Sequence, residues 1–337
     1  MEKKRLGIKE ISFDQFDGLK IGHAVNEEAA TGCTVLVAEN GMSAAVDVRG
    51  GGPASRETPL LQPLASAETI HSIVLCGGSA FGLEAGCGVA ECLEEKGIGF
   101  DTGFAKVPLV CQSCIYDLGI GSAKIRPDKK MGYDACQDAF TNEHMTDTGN
   151  VGAGIGATVG KARAALSMMK SGLGMYALQY GELKVGAIVV VNALGDIYDC
   201  DTGEKIAGLR SLDGTGFEDC ETVLLETMTK AASDNMYTSN TTIGVIVTNT
   251  KLNKMELQRV ASAAHNAYAR TIRPVHTSAD GDSIYATGLG EVDANVDIVS
   301  SLATEAMARA VNSAIYDTDE KYNVPSAKSF KTNKERR

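Results

Sequence analysis

Ser239-Asn240-Thr241-Thr242-Ile243-Gly244-Val245-Ile246-Val247-Thr248 runs from a polar tetrapeptide straight into an apolar, β-branched stretch. Asn favours turns and Thr favours strands, so residue preferences alone make this a surface turn entering a sheet. Further short apolar runs, Thr34 to Ala38, Ala44 to Val48, Ser72 to Cys76 and Ala187 to Val191, are mostly bounded by polar residues or glycine and read as buried strands. Helices are predicted for Ala80 to Glu95, Lys254 to Arg270 and Ser300 to Ile315. In the second of these, Leu257, Val260, Ala261, Ala264 and Tyr268 fall on one side. Strands and helices mix throughout, and neither a repeat nor a Pro- or Ser-rich linker divides the 337 residues. The expectation is a single α/β domain, 1–337, with polar loops at Pro127 to Asn150 and Asp199 to Asp219.

Composition narrows the function more than the fold. The 37 glycines are too many for a simple helical bundle and imply tight turns and close backbone approaches. A net charge of −11 argues against nucleic acid, because phosphate binding needs Lys and Arg clustered on one face. The one basic cluster, Lys328 to Arg337, reads as a frayed tail. No apolar segment follows the basic residues near Met1, so no cleaved signal peptide is expected, and no apolar run is long enough to span a membrane. The nine cysteines are scattered, and Cys33, Cys76, Cys87 and Cys92 lie in apolar stretches where a free thiol packs as a small hydrophobe. That pattern implies a reducing, cytoplasmic setting. Cys111 and Cys114 have CxxC spacing but lack a second pair or a flanking histidine, so packing is the better reading.

Most chemical motifs fail on context. Gly152-Ala-Gly-Ile-Gly-Ala157 has a dinucleotide-fingerprint spacing, yet polar residues Thr141 to Asn150 stand where a strand is required; a structural turn is expected. Gly50-Gly51-Gly52 and Gly77-Gly78-Ser79-Ala80-Phe81-Gly82 each follow a candidate strand, but neither has the phosphate-holding spacing or lysine. The histidines His23, His71, His144, His265 and His276 form no zinc-binding pair, and no G-x-S-x-G elbow appears. Neither a metal nor a cofactor is expected.

Seven blocks taken together resemble the L-aminopeptidase/D-esterases and β-peptidyl aminopeptidases, and most closely their nylon-oligomer (6-aminohexanoate oligomer) hydrolase branch. They are Ala45 to Gly51, Cys76 to Gly86, Ile115-Tyr116-Asp117, Gly152 to Lys161, Val191-Asn192, Asn240-Thr241-Thr242-Ile243, and His276 to Asp282, in the same order across roughly Gly18 to Val311. The resemblance implies a layered αββα-type sandwich of the self-processing aminopeptidase and ornithine acetyltransferase kind. It also implies an inactive precursor that cuts itself between Asn240 and Thr241 into an α chain, 1–240, and a β chain, 241–337, assembled as a homo-oligomer of αβ units. The new terminus is expected to head a central strand. Thr241 would be the nucleophile, with Asp280 and Asp282 beside it, Lys161 nearby, Asn192 donating to the oxyanion and Tyr116 close enough to assist.

A threonine suits that position chemically. Once it heads a chain, its α-amine, with a pKa of about 7.7 to 8, serves as general base for its own hydroxyl. The implied substrate is a small peptide or other amide. In the aminopeptidase branch a glutamate occupies the position of Cys114, serine is usual at Thr241, and serine and glutamate occupy the positions of Asp280 and Asp282; the nylon-like branch matches this chain at all of these. Two other functions fit parts of the pattern: acyl transfer to an amine, as in the ornithine acetyltransferases, and non-catalytic binding of a small anion by the Gly-rich turns.

Overall fold

Eighteen consecutive extended residues, Thr31–Val48, form the strand around which the molecule is organised. The computed structural model describes residues 7–141, 143–163, 167–228 and 240–330; Ser239 and the end of the basic tail lie outside the described residues. Ten strands join into one sheet system: β1 (Lys9–Ile11), β2 (Leu19–Asn26), β3 (Thr31–Val48), β4 (Ala54–Arg56), β5 (Ile70–Cys76), β6 (Val110–Cys114), β7 (Leu173–Tyr180), β8 (Leu183–Asn192), β9 (Thr241–Thr250) and β10 (Ser283–Val292). The first half of β3 pairs with β2 and β5, and its second half pairs with β10. A register irregularity between Val37 and Met42, with Gly41 at φ 80°, separates the two halves. One strand therefore belongs to two sheets, ordered β1-β7-β8-β9-β10-β3 and β2-β3-β5-β6-β4.

The sheets stack. Ile243, Val245 and Val247 of β9 share an inter-sheet core with Ile21, Leu36 and Leu75 of the second sheet. On the opposite face of β9, Ile246 meets Leu257, Val260 and Tyr268 of α4 (Lys254–Thr271) and Met307 and Val311 of α5 (Val296–Tyr316). The outer face of the second sheet, with Val35, Val37 and Val74, packs against α1 (Ala85–Glu95) and α2 (Lys129–Ala139). The expected order of helix, sheet, sheet, helix is present. All ten residues of β9 are buried, which is why the sequence reads as a continuous apolar run rather than an alternating one. Asn253 caps α4 through a capping box with Glu256, and Asn295 caps α5. Among the described residues no helix is long and apolar enough to cross a membrane.

Several expectations need correction. The stretch Pro127 to Asn150 is not all loop, because it contains α2, N-capped by Asp128. Its Gly132 and five charged or amide side chains hide the helical pattern. The runs at Thr34 and Ala44 are one strand, and the helix expected from Ala80 starts as a 3-10 turn, Ser79–Glu84, before α1. Within Asp199 to Asp219 lies a short strand, Lys205–Ala207, and Cys220–Met228 follows as α3. Cys111 and Cys114 point to different cores, one between the sheets and one under α1 and α2, so they pack separately.

Helices α1 and α2 touch through glycine. A Cβ on Gly88 would lie 1.7 Å from the Lys129 carbonyl oxygen, and one on Gly132 would lie 1.9 Å from that of Ala85. Alanine is the better helix former by about 1 kcal/mol, but backbone cannot yield as a flexible side chain does. Gly132→Ala is therefore expected to lower stability by about 1–3 kcal/mol, read from the denaturant midpoint; an unchanged or raised midpoint contradicts this packing.

Candidate active site

Asn240 and Thr241 are buried at the entrance of β9. The pairing of β8 with β9 sets Asn192 opposite Thr241, and Asn240 bridges to Asp280. The Thr241 hydroxyl donates to the Asn240 carbonyl oxygen. The Gly281 N–H donates to that same oxygen at 3.3 Å. A hydroxyl thus lies against the preceding peptide carbonyl, whose oxygen also has a backbone donor. Gly281 leaves room for this, since a Cβ there would stand 3.0 Å from Thr241 Oγ1.

The segment from His276 to Asp282 folds so that both carboxylates turn inward. Asp280 Oδ2 accepts the Thr277 N–H at 2.7 Å and the Thr277 hydroxyl at 2.6 Å. Asp282 Oδ1 accepts the Thr242 N–H at 2.7 Å, while Oδ2 accepts from His276 N at 3.1 Å and Nδ1 at 2.9 Å. Behind the segment, Arg49 and Gly50 donate to the Asp282 carbonyl and Gly52 to that of Asp280. A Cβ on Gly50 would lie 2.2 Å from the Asp280 carbonyl oxygen; only glycine lets these backbones meet.

Asn192 connects the other side of the site. Its Oδ1 accepts the Lys161 ammonium at 2.6 Å and the Thr158 N–H at 3.1 Å, and its Nδ2 donates to the Tyr116 carbonyl at 2.9 Å. Lys161 also donates to the Asn192 carbonyl at 3.0 Å. The tie to Tyr116 runs through backbone. Burial pushes the buried Lys161 amine down to about 7, against the pull of Asp280 and Asp117. Burial, with Asp282, pushes Asp280 up to about 6, against the Thr277 bonds and Lys161. Both groups therefore change charge near neutral pH, as groups at working sites often do.

The sequence profile of peptidase family S58 matches residues 15–322. The chain belongs to peptidase family S58. As an S58 member it is a hydrolase acting on amide bonds. It is 34% identical over 363 residues to an uncharacterized aminopeptidase of Mycobacterium leprae, covering 94% of this chain and 92% of that one. With the 6-aminohexanoate-oligomer endohydrolase of a Kocuria species it shares 32% identity over 324 residues, covering 90% and 86%. The structure of an L-aminopeptidase D-Ala-esterase/amidase from Ochrobactrum anthropi, described as a variant of the Ntn hydrolase fold, matches with a TM-score of 0.64 at 14% identity, over 94% and 91% of the two chains. That likeness establishes a shared fold.

The structure brings Thr241, Asp280, Asp282, Asn192 and Lys161 together, with Tyr116 joined through its backbone carbonyl, and adds others. Asp117 accepts the Thr31 hydroxyl at 2.6 Å and the Gly78 N–H at 2.7 Å, which fixes the Gly77-Gly78 turn beside Tyr116. Lys170 closes the Gly152 to Ala157 turn by donating to the carbonyls of Gly154, Ala157 and Ser171. Asp117 and His276 stood in the resembling blocks without a role. Lys170 gave no signal, because a lone lysine reads as a solvated side chain. Since the Lys161 cation favours the charged form of Asp280, Lys161→Met is expected to raise the Asp280 pKa above about 6. Carboxyl 13C NMR titration checks this, and an unchanged or lower midpoint contradicts the coupling.

Proposed function

We propose that this S58 chain is made as an inactive precursor that cleaves the Asn240–Thr241 bond and then hydrolyses amide bonds of small peptides or amino-acid oligomers through Thr241. The observation that carries the reading is the Thr241 hydroxyl resting on the Asn240 carbonyl oxygen, with the Gly281 N–H on the same oxygen. In the precursor, Thr241 Oγ attacks the Asn240 carbonyl carbon, and Gly281 N–H stabilises the charge that develops on its oxygen. The C–N bond breaks as the Thr241 nitrogen takes a proton, leaving an ester. Water hydrolyses the ester to free the Asn240 carboxylate and the Thr241 hydroxyl and amine.

In the mature enzyme the amine accepts the hydroxyl proton as Oγ attacks the substrate carbonyl. The acyl group passes to Thr241, the amine half of the substrate leaves with that proton, and water releases the acid. Asp282 holds the Thr242 N–H and thereby the first peptide of β9. Asn192 lies opposite Thr241 on β8 and holds the Lys161 ammonium through its Oδ1, and because a primary amide carries two N–H groups, the Tyr116 bond does not use up the donor capacity of Asn192. Cys114 is buried in the outer core, so no carboxylate there anchors a substrate ammonium, which supports amide oligomers as substrates. The nine unpaired cysteines support a cytoplasmic location. A homo-oligomer of αβ units completes the proposal, on the strength of the resemblance.

Assays with an amino-acid p-nitroanilide and a 6-aminohexanoate oligomer test this. Thr241→Ala is expected to lose at least about a thousandfold in kcat/KM, Thr241→Ser to keep measurable activity, and acid-quenched wild type to carry the acyl group on Thr241. EDTA should leave the wild-type rate unchanged. Wild-type rates in Thr241→Ala, or activity lost to EDTA and restored by zinc, would contradict the reading.

A further inference from the structure

Behind the carboxylates stands a group of three rings that the chemistry above leaves unused. His276 packs 4.8 Å from His265 and 6.1 Å from Tyr268, and those two lie 5.4 Å apart, measured between ring centroids. Each ring carries one buried polar atom without a protein partner among the described residues: His276 Nε2, His265 Nδ1 and the Tyr268 hydroxyl. Buried polar atoms rarely stand alone, and three in contiguous rings mark a site rather than a packing accident. The Tyr268 hydroxyl sits over Gly244, where a Cβ would approach it to 2.8 Å, directly beneath the head of β9.

The tautomers follow from the partners. His265 Nε2 lies 3.0 Å from the Asp47 carbonyl oxygen, an acceptor only, so Nε2 carries the proton and Nδ1 is a bare lone pair. A carboxylate likewise only accepts, so His276 Nδ1 carries the proton it shares with Asp282 Oδ2. Facing His276 are thus Asp282 from its own segment and His265 and Tyr268 from α4, with Asp47 and Arg49 beyond His265 at the end of β3. His276 also holds φ 59°, left-handed backbone that a non-glycine residue adopts at a cost and keeps where its surroundings demand it. That conformation aims both its N–H and its ring at one oxygen.

We propose that His276 is a positioning residue for the Thr241 centre. Its Nδ1–H clamps one oxygen of Asp282, so that the other oxygen holds the Thr242 N–H and fixes where Thr241 leaves the strand. The proposal rests on Thr241 being the nucleophile. Without Nδ1–H only the backbone N–H of residue 276 still reaches that oxygen, so the carboxylate is held less tightly, the first peptide of β9 loosens, and the hydroxyl and amine of Thr241 meet the substrate carbonyl less often in line. The clamp acts on the position of the nucleophile and touches no substrate atom, so kcat falls and KM does not.

His276→Asn and His276→Gly separate this from a structural role, because both residues accept left-handed backbone and only asparagine puts an N–H near the place of Nδ1. Steady-state kinetics on the same amide probes, with Thr241→Ala as control and melting curves for each variant, read the outcome. The expected result is a loss of about a hundredfold in kcat for His276→Gly with KM nearly constant, and recovery of most of that loss in His276→Asn. Wild-type kcat in His276→Gly, equal losses in the two variants, or a loss confined to KM or tracking a fall in melting temperature, would overturn the proposal. If Thr241→Ala hydrolyses the probes as wild type does, the nucleophile reading itself fails. An inactive Thr241→Ala beside unaffected His276 variants sinks only the positioning role.

Discussion

Two carboxylates, Asp280 and Asp282, lie buried two residues apart, and the protein must satisfy both away from bulk water. That constraint orders the site. Thr277 supplies two donors to one, while Thr242 and His276 supply three to the other. Lys161 offsets part of the remaining repulsion, and burial brings its own charge close to the point of loss. Because the Asp282 donors include the N–H just after Thr241, satisfying the carboxylate also fixes the hydroxyl. The same bonds that satisfy the carboxylate also set the geometry on which the proposed chemistry of Thr241 rests.

The four-layer architecture makes that arrangement reachable. β9 lies between β8, which brings Asn192 opposite Thr241, and β10, which begins immediately after Asp282. The turn after β3 brings Gly50 and Gly51 against the backbone of the carboxylate segment, where no side chain fits. Helix α4 supplies His265 and Tyr268 from beneath. Residues far apart in the chain thus meet at one strand end, where the loop His276 to Asp282 carries most of the polar ties and the strands fix its position.

What the sequence made legible follows from the range of the forces involved. β9 is readable because burial on both faces leaves an unbroken apolar run, and the capped start of α4 is readable because its signals lie within one turn. Helix α2 is not, since Gly132 looks like a breaker until the backbone of α1 is seen against it. The turn at Gly50 could be named locally, but its partner lies some 230 residues on, and no local pattern encodes that. Asn192, Lys161 and Asp280 were picked out through resemblance across separated blocks. His276 sat in one of those blocks as an unpaired histidine, and only its bond to Asp282 gives it meaning.

The proposed chemistry requires that Thr241 become a chain terminus. Denaturing mass spectrometry with N-terminal sequencing of the purified, amide-hydrolysing wild-type protein tests it most directly. Two chains, 1–240 and 241–337, are expected, the second beginning with Thr241 and its free amine. A single intact chain that hydrolyses amides at full rate would contradict it.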